Sequence, residues 1–260
     1  MLQILKYLVL FLIWSVIGGL SLLIPAPFGL LVALPVAGLF LLYLVRDGSM
    51  EARLRRATLR LRPIAPGARR WLALAVHVLL VASWSLGEVY TRLVVVPPEA
   101  FNPFAHITTT AMGRLSVAVL AIAAAPILEE FVFRGMMQRT LERRWGTVAG
   151  VCGSAALFAV VHMQPRVFPL LFFLGIAFGW AVYATRSIWA GVVLHAANNC
   201  IAVLGLGSTE TPPERLTVWQ SGPTAEWWIA LAVLALSLCA GVWLARRLRR
   251  ASLGGMMKSG

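Results

Sequence analysis

Three short runs carry side chains that can move protons or hold developing charge. They are Glu129-Glu130-Phe131-Val132-Phe133-Arg134, Phe158-Ala159-Val160-Val161-His162 and His195-Ala196-Ala197-Asn198-Asn199. A carboxylate can serve as a base for water, an imidazole can carry a proton, and a carboxamide can donate to an oxyanion. Glu130 and Arg134 are spaced i,i+4, so on a helix they form an ion pair by themselves. Glu129 lies about 100° further round the helix and has to find partners on other segments. A lone histidine on an apolar helix is ordinarily a packing residue. Two of them, with Asn199 one turn beyond His195 on the same face, weigh toward a site.

The elements that must position these groups are hydrophobic. The acidic pair follows Leu115–Leu128, a run fit for lipid or for a core. Each charge at the centre of such a span costs roughly 2.5–3.5 kcal/mol even on lenient scales, so it is kept where it pairs, meets water or does chemistry. Of the 260 residues 60% are hydrophobic and 13% charged, and the mean hydropathy is +0.82. That balance excludes an ordinary water-soluble domain and predicts an all-α, polytopic membrane bundle forming one structural domain. The net charge of +13 does not point to nucleic acid, because the basic residues lie between apolar runs. Cys152, Cys200 and Cys239 all fall inside apolar runs without a CxxC pair, which excludes a disulfide framework or a cysteine zinc site.

About eight spans are predicted: Ile4–Ile24, Phe28–Val45, Trp71–Val96, Arg114–Gln138, Thr147–Met163, Val167–Thr185, Ser187–Leu206 and Glu226–Ala245. The first run is too long for a signal peptide's apolar region. Residues 1–110 supply N-terminal spans and a basic loop at 46–70, 111–206 a core with the three motifs, and 207–260 a last span and a basic tail. Arginines crowd the loop after span two, the stretches after spans four and six, and the tail, all on the side of Lys6 and both termini. The positive-inside rule puts that side, and both termini, in the cytoplasm. The basic loop sets topology or rests on anionic lipid headgroups. The arginine-rich, lysine-poor composition points to a GC-rich bacterial source, hence to the inner (plasma) membrane.

Depth brings the motifs together. Measured from the cytoplasmic ends of their spans, Glu129 lies roughly 15 Å in, His162 roughly 22 Å, and His195 and Asn199 roughly 12 and 18 Å. Three antiparallel helices thus carry the four groups to similar depth. Other polar groups stand outside this set. Glu88 pairs with Arg92 near the outer surface, and His77 snorkels near the inner one. Gly175 and Gly179 form a G-x-x-x-G for close helix contact, and Gly135 lets another helix approach.

E-E-F-V-F-R-G, F-A-V-V-H and H-A-A-N-N resemble, in order and on separate spans, the motifs E-E-x-x-x-R, F-x-x-x-H and H-x-x-x-N of the CPBP intramembrane protease family. That family includes type II CAAX prenyl endopeptidases, bacteriocin-processing proteins and abortive-infection proteins. The resemblance covers residues 114–206. It implies an intramembrane endopeptidase whose Glu129 and His162 activate water, whose His195 and Asn199 stabilise the oxyanion, and whose Glu130 and Arg134 brace the site. The partners it implies are membrane lipid and a membrane-associated protein or peptide substrate.

The residues allow two routes to an activated water. Glu129, His162 and His195 are a donor set for one divalent ion such as zinc, with water in the fourth position. Alternatively glutamate and histidine act with no metal; H-E-x-x-H is absent, and the sequence leaves both routes open. Two other functions compete: a non-proteolytic immunity or scaffold protein, and an ion or proton transporter. A transporter would show an internal repeat or paired broken helices, and the sequence has neither.

Overall fold

The structure, a computed structural model, describes residues 59–97, 100, 107–205 and 216–256, with isolated positions between 5 and 42. Among the described residues every regular element is a helix. Helix α1 is Pro66–Leu93, α2 the long Ala111–Val161, α3 Phe168–Thr185, α4 Ile188–Gly205, α5 the short Val218–Ser221 and α6 Ala225–Met256. Helices α1, α2, the stretch Pro165–Thr185 and residues Ala225–Gly254 of α6 are long and apolar enough to cross a membrane, and Ile188–Leu204 is a shorter apolar helix. These lengths are those of an integral membrane protein.

Local chemistry sets the ends. Pro66 opens α1, where its missing N–H costs nothing. The Thr110 hydroxyl caps α2 by accepting from the Gly113 N–H at 3.0 Å. Gly146, at φ 83° and ψ 172°, breaks α2 into two limbs. A Cβ on Gly150 would meet the Glu142 backbone nitrogen at 2.8 Å. In a straight helix those residues would stand roughly 12 Å apart, so the chain doubles back at Gly146. Residues 111–145 and 147–161 are therefore antiparallel neighbours.

The core lies where α2, α3 and α4 meet α1. Phe133, Met137, Phe158, Phe178, Leu72, Leu79 and Leu194 are all buried in it. Helix α6 runs along α1, with Ala230 and Leu234 packed on Ala82 and Val89 and with Trp71 edge-on to Trp243 at 5.4 Å between ring centres.

Polar contacts mark two ends of the bundle. At one, Arg60 pairs with Glu142, the Arg62 Nε donates to the Arg186 carbonyl at 2.9 Å, and the Ser187 hydroxyl donates to the Arg62 carbonyl at 2.6 Å. Burial lowers the Arg60 pKa from the usual guanidinium range, and the Glu142 carboxylate opposes that shift. At the other end, the Tyr90 hydroxyl donates to the Arg166 carbonyl at 2.8 Å and the Trp219 Nε1 to the Leu93 carbonyl at 3.1 Å.

Several expected boundaries move. The fourth span does not end at Gln138; its helix continues through Arg139, Arg143 and Arg144 to the break at Gly146. The last does not end at Ala245 but runs on through Arg246, Arg247, Arg249 and Arg250 to Met256. Arginine is a good helix former, so charge ends the apolar run without ending the helix. The group approaching Gly135 is not another helix but Leu59, whose Cδ2 would lie 3.1 Å from a Cβ there. The spans Ile4–Ile24 and Phe28–Val45, the loop residues 46–58 and the tail beyond Met256 lie outside the described residues, isolated positions aside.

Candidate active site

The limb of α2 that carries the acidic pair is not uniform. Leu120–Ala124 and Glu130–Gln138 wind as π-helix on either side of an α-helical turn, Ala125–Glu129, which contains Pro126. Wider turns of this kind redirect side chains within a continuous helix and recur at functional sites.

Glu130 and Arg134 form the expected pair: Arg134 Nη1 stands 2.9 Å from Glu130 Oε1, and both side chains are fully buried. Arg134 Nη2 also donates to the Gly175 carbonyl at 3.1 Å. The guanidinium lies against three rings, its Cζ 4.6 Å from the centre of Phe158, 5.4 Å from Phe178 and 5.9 Å from Phe133. The rings' π-faces offset part of the desolvation that burial imposes on the cation.

His195 joins the two glutamates. Its Nδ1 is 3.2 Å from Glu130 Oε1 and its Nε2 is 3.7 Å from Glu129 Oε2. The imidazole stacks on Phe178 at 4.7 Å and meets Phe158 edge-on at 5.6 Å. A carboxylate oxygen accepts, so in the shorter contact Nδ1 is the donor. Both Glu129 Oε2 and Glu130 Oε2 are buried with no hydrogen-bond partner. Helix α4 comes this close because residue 191, one turn before His195, is glycine. A Cβ there would fall onto Glu130 Oε2 and stand 2.8 Å from Val182 Cγ2.

His162 stands at the end of the returning limb of α2. Its Nδ1 donates to the Phe158 carbonyl at 2.7 Å, which leaves Nε2 with the lone pair in the neutral ring. Its ring packs on Phe158 at 4.7 Å, so the two imidazoles share one aromatic wall. Asn199 lies one turn beyond His195, and its Nδ2 donates to the backbone carbonyl of Ala121 at 2.9 Å.

Of the six expected site residues, Glu129, Glu130, Arg134 and His195 are thus in direct polar contact. His162 is tied to them through Phe158, and Asn199 is engaged with the acidic helix's backbone. Of the set expected to hold an ion, Glu129 and His195 are in contact, and His162 is tied to them through Phe158. Among the described residues no three His, Cys, Asp or Glu side chains are grouped to hold one.

Gln138 and Glu142 belong to the same polar stripe and were not singled out in the sequence. Gln138 is fully buried and donates to Glu142 Oε1 at 2.8 Å and to the Gly179 carbonyl at 3.0 Å. The signal was present: Glu130, Arg134, Gln138 and Glu142 recur every four residues. Gly175 and Gly179 repeat that spacing on α3. Their carbonyls receive Arg134 and Gln138, while a Cβ on Gly175 would stand 2.8 Å from that of Ala155. The close helix contact expected of this glycine pair is present.

Residues 111–201 match the family described as Type II CAAX prenyl endopeptidase Rce1-like. The match covers all six motif positions and agrees with the resemblance that the three motifs carry. No curated protein and no solved structure matches the chain.

Proposed function

We propose that the chain is an intramembrane endopeptidase that hydrolyses a peptide bond of a membrane-associated protein or peptide, with water activated by glutamate and histidine. One observation carries this reading. An imidazole from one helix stands between two adjacent glutamates of another, Glu130 fully buried and Glu129 half-buried, and Glu129 keeps a buried oxygen with no hydrogen-bond partner. A buried ion pair needed only for stability would stop at Glu130 and Arg134.

In this reading Glu129 Oε2 takes a proton from water. The hydroxide oxygen bonds to the carbonyl carbon, and the carbonyl electron pair moves onto its oxygen. Donors from His195 and from the second N–H of Asn199 hold that oxyanion. Collapse re-forms the carbonyl and breaks the C–N bond, and the proton held by Glu129 passes to the leaving nitrogen. His162, with Nε2 unprotonated, is the second proton carrier. Glu130 and Arg134 fix the His195 ring.

The proposed topology is eight spans with both termini cytoplasmic. It is supported by Arg60, Arg62, Arg139 and Arg186 gathering at one end of the bundle. The test compares membrane-fraction proteomes of cells carrying the wild-type chain and Glu129→Ala. An uncleaved precursor is expected to accumulate with the variant and to disappear on complementation. Unchanged protein termini, with the variant present at wild-type level, would overturn the reading.

A further inference from the structure

We propose that Asn199 is a positioning residue: it caps the backbone carbonyl of Ala121 that Pro126 leaves without a donor, and so fixes the bend from which Glu129 projects. The inference concerns the same site as the endopeptidase reading but rests on backbone accounting alone.

In an α-helix the Ala121 carbonyl receives the N–H of residue 125, and in a π-helix that of residue 126. Here the Ala125 N–H donates to Leu120, the π pattern. The next donor in that pattern would be residue 126, and a proline has no N–H. Ala121 O is therefore missed by both registers. A carbonyl left unpaired within a membrane span loses the hydrogen bond that water would give it, so a donor from elsewhere stabilises it.

Asn199 supplies it. Its Nδ2 donates to Ala121 O at 2.9 Å, from a helix otherwise joined to this limb by His195 and Gly191. Helix α4 therefore grips the acidic helix twice, through Asn199 before the proline and through His195 after it. Glu129 lies three residues beyond Pro126, at the end of the turn that leads from the first grip to the second. Releasing the first grip lets residues 121–126 relax, and Glu129 turns relative to His195. The family resemblance alone gives Asn199 a role at the oxyanion; the contact with Ala121 adds a second role on its other N–H.

Two measurements that need no substrate test this on the purified full chain in detergent. The first is a thermal double-mutant cycle of Asn199→Ala and Pro126→Ala. Residue 126 then regains an N–H for the helix, so Asn199→Ala is expected to lower Tm by roughly 5 °C alone but by less than half as much beside Pro126→Ala. Equal losses in both backgrounds would overturn the proposal. The second is hydrogen exchange. Peptides spanning 119–130 are expected to exchange at least tenfold faster in Asn199→Ala, with 150–161 unchanged. Equal exchange over 119–130 would overturn it even if Pro126→Ala fails to fold.

A third readout separates positioning from direct chemistry. On the precursor identified with Glu129→Ala, Pro126→Ala is expected to restore part of the cleavage lost in Asn199→Ala. Loss without any restoration, at unchanged Tm and exchange, would leave Asn199 acting only on the oxyanion and sink the proposal. Absence of any precursor would defeat the endopeptidase reading and leave the first two measurements standing.

Discussion

Gly191 on α4 leaves its side-chain space to the Glu130 carboxylate, onto which any Cβ at position 191 would fall. The neighbouring turn then carries His195, whose Nδ1 reaches the same carboxylate at 3.2 Å. A missing methyl group thus lets two helices approach closely enough for an acid to orient an imidazole.

Gly191→Ala is accordingly expected to be costly. Neither Glu130, held by Arg134, nor the α4 backbone can move freely, and overpacking of this kind costs about 1–3 kcal/mol. Thermal unfolding in detergent checks it, with Gly241→Ala in α6 as the control. A Cβ at Gly241 meets nothing within 4 Å. There the gain in helix propensity of up to about 1 kcal/mol is expected to leave Tm equal or higher.

Removing one member of the buried ion pair strands the other. Glu130→Gln leaves the Arg134 guanidinium buried without its directly paired carboxylate, a loss of about 3–5 kcal/mol. Arg134→Met with Glu130→Gln removes both charges and is expected to recover a good part of it. Cleavage is expected to stay low in both, because His195 loses the carboxylate that orients it. Unfolding curves and a precursor-cleavage assay on the same preparations separate the two effects.

Gln138 offers the opposite pattern. It is nine residues past Glu129, roughly 13 Å along the helix, and its bonds go to Glu142 and the Gly179 carbonyl. Gln138→Leu is expected to lower stability by about 1–3 kcal/mol through the unpaired Gly179 contact and Glu142. Cleavage per folded molecule is expected to stay near wild type. A loss of cleavage at unchanged Tm would place Gln138 in the chemistry instead.

Glu129→Gln keeps the size and removes the base. Cleavage is expected to fall by a factor on the order of 10²–10⁴ while Tm holds or rises. Chelator treatment gives the companion result. Because no three ligating side chains converge among the described residues, cleavage by the wild-type chain is expected to persist in a divalent-metal chelator. Loss of cleavage with recovery on adding zinc would restore the metal route.

Much of this was legible in the chain itself. Composition alone gave a membrane bundle, since so many apolar residues and so few charges leave no other stable solvent arrangement. Spacing alone gave the Glu130–Arg134 pair, because four residues return a helix to the same face. The three motifs named the six residues of the candidate site. Tertiary packing decided how they meet. His195 turned out to bridge both glutamates, because Gly191 brings α4 against Glu130. Asn199 found the Ala121 carbonyl because of a proline on another helix, and no local pattern relates positions 121, 126 and 199. The helices also outlast the expected spans. Hydropathy marks where lipid stops and says nothing of where backbone hydrogen bonding stops, so arginine-rich turns past Gln138 and Ala245 remained helical.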